Sequence, residues 1–134
     1  MTIPERIETF LAAEGFGVVG ASSKPHKYGN KVLRCYQQNQ HVVIPVNPVE
    51  NVIEGLECVT SVEELPDHVT SISIITPPQV TEKVVALAMA CGIKNIWMQP
   101  GAESPQAVST CEEAGVNVIA DGSCILVVMG YRDH

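Results

Sequence analysis

The sequence carries few positive charges. It has 8 Lys and Arg against 15 Asp and Glu in 134 residues, a formal net charge of -7 at pH 7. Nonspecific nucleic-acid binding needs a broad basic face, so we expect no nucleic-acid partner. Four of the eight positive residues nevertheless fall in one short stretch, at Lys24, Lys27, Lys31 and Arg34. For Lys31 and Arg34 two interpretations stay open: they contribute to an anion site, or they face solvent from a helix.

Paired cysteines are also lacking. The five cysteines are an odd number, form no C-x-x-C pair and have no histidine at ligand spacing. This pattern argues against a disulfide framework and against a zinc site. We therefore expect reduced thiols, a cytoplasmic location and no bound metal.

No leader or membrane-spanning run is visible in the sequence. The first 15 residues instead form an amphipathic pattern, with Ile3, Ile7, Phe10 and Leu11 on one helical face. This segment has three glutamates and one arginine, so we predict that it covers the protein's own core rather than a membrane. A protein partner is left open.

The common nucleotide fingerprints are missing. No G-x-G-x-x-G follows the first strand, since the glycine that follows Gly20 is Gly29, and Asn47 stands where an acidic residue would bond a ribose. G-x-x-x-x-G-K-[ST] is absent as well. No catalytic constellation is found either, because Cys124 has no histidine near it in sequence. His26 is assigned to the loop or to solvent. Asp121 either holds a ligand hydroxyl or caps the following turn, and the cap is the commoner role.

Strand and helix patterns alternate about five times along the chain. Apolar, β-rich segments occupy residues 17–20, 41–48, 71–78, 94–101 and 116–122, and helical patterns occupy 79–91 and 104–114. Ser104 before Pro105 is a helix start signal, and Gly92 and Gly115 are placed as C-terminal caps. The alternation predicts a three-layer, doubly wound α/β fold with a mostly parallel sheet of about five strands. Residues 49–65 are predicted as a loop or hairpin followed by a helical turn, and residues 1–134 as one domain.

The best candidate site of this chain begins where the first strand passes through a glycine turn into a helix. The helix after Gly29 begins with unpaired N–H groups, which suit a phosphate. The other strands end in "VNP", "TPP", "QPGA" and "ADGSC". Ligands of open parallel sheets gather at the carboxyl ends of the strands, and the proline turns there predict a preorganised cleft.

These segments resemble a known family. "VVGASSKPHKYGNKV", "VIPVNP", "ITPP", "IWMQPGA" and "ADGSC" are similar to the small stand-alone CoA-binding proteins, which resemble the CoA-binding N-terminal domain of the succinyl-CoA synthetase α subunit. The resemblance covers residues 16–124 and implies a Rossmann-like fold with CoA across the carboxyl edge of the sheet. The ligand-site residues that it implies are Gly20, Ala21, Ser22, Ser23, Lys24, Tyr28, Gly29, Asn47, Pro48, Thr76, Pro77, Pro78, Gln99, Pro100 and Gly101.

The chain departs from this family near its end. Family members often carry an arginine before the last cysteine, where this chain has Ser123. No second domain is expected to supply a phosphohistidine, and His134 is not assigned that role. The phosphates of CoA suit Lys24 and the loop amides, while Asn47 can bond a ribose or base without adding negative charge.

The leading hypothesis from the sequence is a noncatalytic CoA or acyl-CoA binding protein. The first alternative is an enzyme or redox protein that uses Cys124, for example through a mixed disulfide with the CoA thiol. The second is an NADP-binding oxidoreductase fragment. The acyl preference, the pathway and the oligomeric state are not specified by the sequence.

Overall fold

A five-stranded, all-parallel sheet forms the centre of the computed structural model, which describes residues 1–133; His134 lies outside the described residues. The strands are β1 (Gly15–Val19), β2 (Val43–Val46), β5 (Val69–Ile74), β6 (Asn95–Met98) and β7 (Asn117–Ile119). Their lateral order is β2-β1-β5-β6-β7. The predicted α/β class and five-stranded sheet are confirmed. Strands β2, β5, β6 and β7 are shorter than the apolar segments that predicted them, because the prolines and polar residues at those ends lie in turns. Strand β1 instead begins two residues before its predicted segment, at Gly15.

Helices cover both faces of the sheet. They are α1 (Ile3–Leu11), α2 (Tyr28–Gln38), α3 (Pro78–Ala90), α4 (Pro105–Glu113) and α5 (Ile125–Val128). The sequence analysis did not anticipate α5. None of these helices, over residues 1–133, is long and apolar enough to span a bilayer.

Two separate cores show how the layers form. On one face, Phe10 of α1 stacks edge-on against Trp97 of β6, and Phe16 of β1 stacks on Tyr36 of α2. On the other face, Val85 of α3 and other apolar side chains of α3 and α4 pack on the sheet. Phe10, the residue of α1 that is fully buried, confirms that this amphipathic helix covers the protein's own core.

The segment 49–65 folds as predicted into a hairpin and a helical turn. Strands β3 (Val52–Ile53) and β4 (Leu56–Glu57) pair antiparallel, and a single 3-10 turn covers Val62–Glu64. Val59 lies between them and bridges Val46 of β2. The hairpin therefore packs beside the outer edge of β2.

The opposite edge of the sheet is the short strand β7. The guanidinium of Arg6 in α1 donates a hydrogen bond to the carbonyl of Val118 at 2.8 Å, and the Asn117 side chain donates to the Arg6 carbonyl at 2.9 Å. Helix α1 is thus tied to the backbone of this edge strand.

Candidate ligand site at the carboxyl edge of the sheet

The strand order reverses between β1 and β5, and the turn at Gly20 lies at that point. After β1 the chain crosses to β2 on one side, and then returns to β5 on the other. Gly20 has a φ of +93°, a conformation that favours glycine. A Cβ at Gly20 would overlap the carbonyl oxygen of Ile75, and a Cβ at Gly29 would overlap the carbonyl oxygen of Gly20. Three backbone segments therefore meet at the switch point with no room for a side chain between them.

The loop after this turn is held by hydrogen bonds from the following helix. Asn30, fully buried in the first turn of α2, donates from Nδ2 to the Ser22 carbonyl at 2.9 Å and to the Glu54 carboxylate at 3.0 Å. The Lys24 backbone N–H donates to the Ser22 hydroxyl at 3.1 Å. Ser23 and Lys24 are exposed at the tip. The loop is preorganised, with a lysine at its outer surface.

Helix α2 begins directly behind the loop without a side-chain cap. Its N-cap is Lys27, which makes no side-chain capping bond, and the first helical bonds run from the Asn30 and Lys31 N–H groups to the Lys27 carbonyl at 3.1 Å. The N–H groups of Tyr28 and Gly29 precede those bonds. A helix start of this kind favours an anion through its aligned N–H groups and its dipole.

Lys31 and Arg34, for which the sequence allowed two interpretations, both form ion pairs with Asp133. Lys31 and Arg34 lie 3.4 Å and 3.6 Å from the carboxylate of Asp133. The Tyr131 hydroxyl, and after it Lys31, hold the pKa of the Asp133 carboxyl below its usual value. Arg34 also donates to the Asn30 side chain at 2.6 Å and to the Pro25 carbonyl at 2.8 Å. Arg34 therefore braces the loop, and Lys31 forms an ion pair with an exposed carboxylate.

Asn47, at the end of β2, connects its own turn to the glycine loop. Its Oδ1 accepts from the N–H groups of Val49 and Glu50 at 2.8 Å and 2.9 Å, and its Nδ2 donates to the Ala21 carbonyl at 2.9 Å. An aspartate would lose the donor and set a negative oxygen against that carbonyl. This contact is a structural reason for an amide at position 47, beside the ligand role that the sequence suggested.

An apolar cleft opens between this turn and helix α3. It has a volume of about 360 Å³ and lies beside Gly20, Asn47 and Pro48. Its other walls are Ser61 and Val62 from the 3-10 turn, and Thr76, Val80, Val84 and Leu87 from the end of β5 and from α3. Val80 and Leu87 are 42% and 41% exposed, although apolar side chains normally turn inward. The cleft is open to solvent and suits a flat apolar group.

The "TPP" turn forms the ridge of the site. The Thr76 hydroxyl bonds the Thr81 hydroxyl at 2.8 Å, which ties the turn to α3. Pro77 is the N-cap of α3, with a ψ of 149°, and Pro78 is its first residue. A second, shallower cleft of about 250 Å³ lies on the other side of Thr76, against Pro77, Pro100 and Gly101. The two clefts share Thr76, so one long ligand can cross from one to the other.

Gln99 is the buried polar residue of the site. It is fully buried at the end of β6, and its Oε1 accepts from the Tyr28 hydroxyl at 3.1 Å and from the Ile125 N–H at 3.0 Å. Its Nε2 is buried with no hydrogen-bond partner in residues 1–133. The Tyr28 hydroxyl also lies 2.7 Å from the Cys124 sulfur. Burial, and then the hydrogen bond with Cys124, raises the pKa of the Tyr28 phenol, so this hydroxyl stays protonated.

The sequence did not indicate this Tyr28–Gln99–Cys124 cluster. The family resemblance assigns Tyr28 and Gln99 to the site, whereas Cys124 enters only the redox alternative, with no contact to either of these residues. Its partner Tyr28 is 96 positions away. No local sequence pattern predicts such a pair. The available signal is that Tyr28 follows the loop after β1 and Cys124 follows the end of β7, two strands of the same parallel sheet.

The remaining candidate residues have structural roles or none. Asp121 accepts from the Ser123 N–H at 3.1 Å, which confirms the predicted turn cap. The Ser123 carbonyl accepts from the Trp97 indole N–H at 3.0 Å. His26 is exposed. The part of the chain that the structure describes contains no group of three or more His, Cys, Asp or Glu residues that could hold a metal ion.

A CoA-sized ligand is compatible with the residues present. The cradle of Gly20 and Gly29, the uncapped start of α2 and the orphaned Gln99 amide all lie along one edge. The parallel sheet, the reversal of strand order and this edge cleft together define a Rossmann-like α/β domain. The chain itself belongs to the CoA binding domain family, whose model matches residues 15–130.

Known proteins similar to this chain include both small proteins and parts of large enzymes. The structure of a conserved hypothetical protein from Pyrococcus furiosus matches with 43% identity and a TM-score of 0.82, covering 86% of this chain and 98% of that one. The uncharacterized protein YneT of Bacillus subtilis is 25% identical over 120 residues, 90% of this chain and 88% of YneT. The ADP-forming acetate–CoA ligase II subunit alpha of P. furiosus is 30% identical over 91 residues, 67% of this chain. The match spans only 19% of that subunit.

Proposed function

We propose that this protein binds CoA or acyl-CoA along the carboxyl edge of its sheet and that it does not itself catalyse a reaction on the ligand. Membership of the CoA binding domain family supports the ligand class. The observation that carries the proposal is the backbone cradle at Gly20 and Gly29, which lies between an apolar cleft and a buried polar cluster. The absence of side chains in this cradle lets a diphosphate approach the loop and the start of α2.

The phosphates would lie on the loop of residues 20–29. The N–H groups of Tyr28 and Gly29 would donate to them, and Lys24 would supply a positive charge from the exposed tip. Lys31 and Arg34 are assigned to Asp133 instead. Removal of Lys24, at the exposed tip of the loop, therefore tests the phosphate contact.

The adenine would lie in the 360 Å³ cleft. Apolar side chains from α3 and the 3-10 turn form its walls, and Asn47 and Pro48 lie at one end. Stacking a base between aliphatic side chains removes apolar surface from water, which contributes about 25 cal/mol per Å². The remaining N–H of the Asn47 amide is directed to the ribose or base in this proposal.

The pantetheine arm would run past Thr76 and the "PP" turn toward Pro100, Gly101 and Gln99. Its amide carbonyls are the acceptors that the orphaned Gln99 Nε2 lacks. The ligand residues proposed are therefore those inferred from the sequence: Gly20, Ala21, Ser22, Ser23, Lys24, Tyr28, Gly29, Asn47, Pro48, Thr76, Pro77, Pro78, Gln99, Pro100 and Gly101. The Ala21 side chain is buried, so Ala21 would contact the ligand through its backbone.

The noncatalytic role, the single-domain organisation of residues 1–134 and a reducing cytoplasmic location belong to the same proposal. In residues 1–133 the Cys124 sulfur contacts a tyrosine hydroxyl, and no histidine hydrogen-bonds it as a general base. All five cysteines are free thiols, which supports a reducing compartment.

Calorimetric titration of the reduced protein with CoA, acetyl-CoA, NADP and NAD at fixed salt tests this proposal. We expect saturable binding of CoA and acetyl-CoA and none of the nicotinamide cofactors. Lys24→Ala should weaken CoA binding about tenfold, since it removes a charge-assisted contact. The matched control Lys94→Ala, at an exposed lysine just before β6 on the opposite edge of the sheet, should leave the affinity unchanged. NADP binding without CoA binding would support the oxidoreductase alternative and overturn the proposal.

A further inference from the structure

Cys124 is the thiol of this chain that is placed to meet the sulfur end of a bound ligand. Cys35 and Cys111 are fully buried, and Cys91 is exposed beyond the end of α3, away from the site. Cys58 is half-buried directly after β4, in the hairpin beside β2, and so lies at the opposite end of the site from Gln99. Cys124 is half-buried and contacts Tyr28, the residue at the start of α2. One side chain therefore links the proposed phosphate position with this sulfur.

The Tyr28 hydroxyl can form a hydrogen bond with the Cys124 sulfur whether the sulfur is a thiol or a thiolate. Because the Tyr28 O–H donates to Gln99 Oε1, the neutral thiol donates its S–H to the Tyr28 oxygen. When the thiol loses its proton, the Tyr28 O–H can turn toward the sulfur and stabilise the thiolate. The thiolate is the form that attacks disulfides.

The orphaned Gln99 amide points to a carbonyl-bearing ligand beside this sulfur. The Ile125 N–H is a donor, so the Gln99 atom that faces it must be the acceptor Oε1, and this fixes the orientation of the amide. The Gln99 Nε2 is then a buried donor without a partner in residues 1–133. An unmade hydrogen bond of this kind costs about 1–3 kcal/mol. The last amide carbonyl of pantetheine is only a few bonds from the CoA sulfur. A hydrogen bond to Nε2 would therefore bring that sulfur close to Cys124.

The reach of the ligand agrees with this placement. Gly20 follows β1 and Gln99 follows β6, which are two strand positions apart in the sheet. Two strand spacings are about 10 Å. The pantetheine arm has roughly a dozen covalent bonds and extends to about 15 Å. An arm that starts at phosphates on the 20–29 loop can place its sulfur at Cys124.

We propose that Cys124 exchanges with CoA disulfides bound at this site, so that the protein captures CoA as a mixed disulfide. This inference rests on the proposed CoA site. The Cys124 thiol first releases its proton to solvent. Its sulfur then attacks one sulfur of the bound disulfide, the S–S bond breaks, a bond between Cys124 and the CoA sulfur forms, and the second thiol leaves as a thiolate that takes a proton from solvent. The CoA disulfide is the oxidant, so electrons balance without another reagent.

Mass spectrometry of the full chain tests the proposal. The reduced protein, freed of reductant and kept without oxygen, is incubated with CoA disulfide or with pantethine, the disulfide that lacks the nucleotide. We expect an adduct of CoA less two hydrogen atoms, mapped by peptide digestion to Cys124. A bound nucleotide raises the effective concentration of the disulfide, so CoA disulfide should react about tenfold faster or more than pantethine. Desulfo-CoA, which lacks the sulfur, should block the reaction.

Controls separate this proposal from the CoA-binding proposal. Cys124→Ser should lose the adduct, and Cys91→Ser, the matched change at an exposed cysteine, should keep it. Equal rates with both disulfides, or an adduct confined to Cys91, would overturn the exchange at Cys124. Calorimetric CoA binding with no adduct would overturn only this inference, whereas no CoA binding at all would overturn the proposed function as well.

Tyr28→Phe provides a readout that a merely structural role would not change. Without the phenol O–H, the thiolate loses its donor, and exchange at fixed pH and saturating CoA disulfide should slow about tenfold. An unchanged rate at saturation would contradict the role of Tyr28.

Discussion

At the scale of single residues, the site depends on backbone atoms that approach closely. Gly29 packs on the Gly20 carbonyl, and Gly20 packs on the Ile75 carbonyl. These contacts fix the turn after β1 against the start of α2 and the residue that follows β5. A side chain at either position would separate the start of α2 from the end of β1.

The first prediction concerns Gly29→Ala. Because the new Cβ would overlap the Gly20 carbonyl, the loop must shift, and we expect a loss of about 2 kcal/mol in the free energy of unfolding and at least about a tenfold weaker CoA affinity. Denaturant unfolding and calorimetry measure the two effects. Gly92→Ala is the matched control: it meets no atom within 4 Å, and its φ of +84° alone should cost about 1 kcal/mol without changing the affinity. Wild-type affinity in a folded Gly29→Ala protein would contradict the phosphate assignment.

At the scale of elements, helix α4 begins where the Ser104–Pro105 pair in the sequence predicts that it begins. Ser104 accepts from the Ala107 N–H at 3.3 Å as the N-cap, Pro105 follows as the first helical residue, and Gly115 has a φ of +74° beyond the end. Ser104 also donates to the Glu82 carboxylate of α3 at 2.5 Å. The cap is therefore also a contact between the two helices on this face.

Ser104→Ala should remove both functions of this hydroxyl. We expect a loss of about 1–2 kcal/mol in the free energy of unfolding, because a helix cap is lost together with a hydrogen bond to a charged group. Thermal and denaturant unfolding measure this loss. Ser109→Ala, on the exposed face of the same helix, should change stability by less than about 0.5 kcal/mol. Similar losses for the two variants would show that the cap contributes little.

The elements could largely be predicted from the sequence, because β-branched runs, caps and glycine ends are local signals. The strand order β2-β1-β5-β6-β7 could not be, since nothing within one segment says which strand lies beside it. The same limit applies to the site. The convergence of strand ends was predictable for a parallel sheet, whereas the contact of Tyr28 with Cys124 and the pairing of Lys31 with Asp133 join residues about a hundred positions apart.

At the scale of the whole molecule, buried thiols link stability to alkaline pH. Burial raises the pKa of Cys111 from its ordinary value of 9.0 to about 11, and the charge of Glu112 adds to this effect. Burial, with a smaller effect of Cys124, raises the pKa of Cys35 to about 11 as well. In the unfolded chain these thiols ionise first as the pH rises. The stability that they support is complete below pH 9 and is lost between about pH 9 and 11.

We therefore expect the free energy of unfolding to fall over this range, by about 3 kcal/mol for each thiol whose pKa differs by two units. Denaturant unfolding at a series of pH values measures the slope. Cys111→Ala should make the slope shallower, even if it lowers stability at neutral pH. Cys91→Ala, at an exposed thiol, should leave the slope unchanged. An identical slope in Cys111→Ala would show that this thiol ionises equally in both states.

The contact between Arg6 and β7 bears on how copies of this protein meet one another. A parallel sheet ends in strands whose free backbone groups are templates for further strands, and such edges are starting points for aggregation. Here the guanidinium occupies the Val118 carbonyl, and β7 offers only the three residues Asn117–Ile119. A second chain that added its strand to this edge would first have to displace α1. The N-terminal helix thus blocks the addition of further strands at this edge of the sheet.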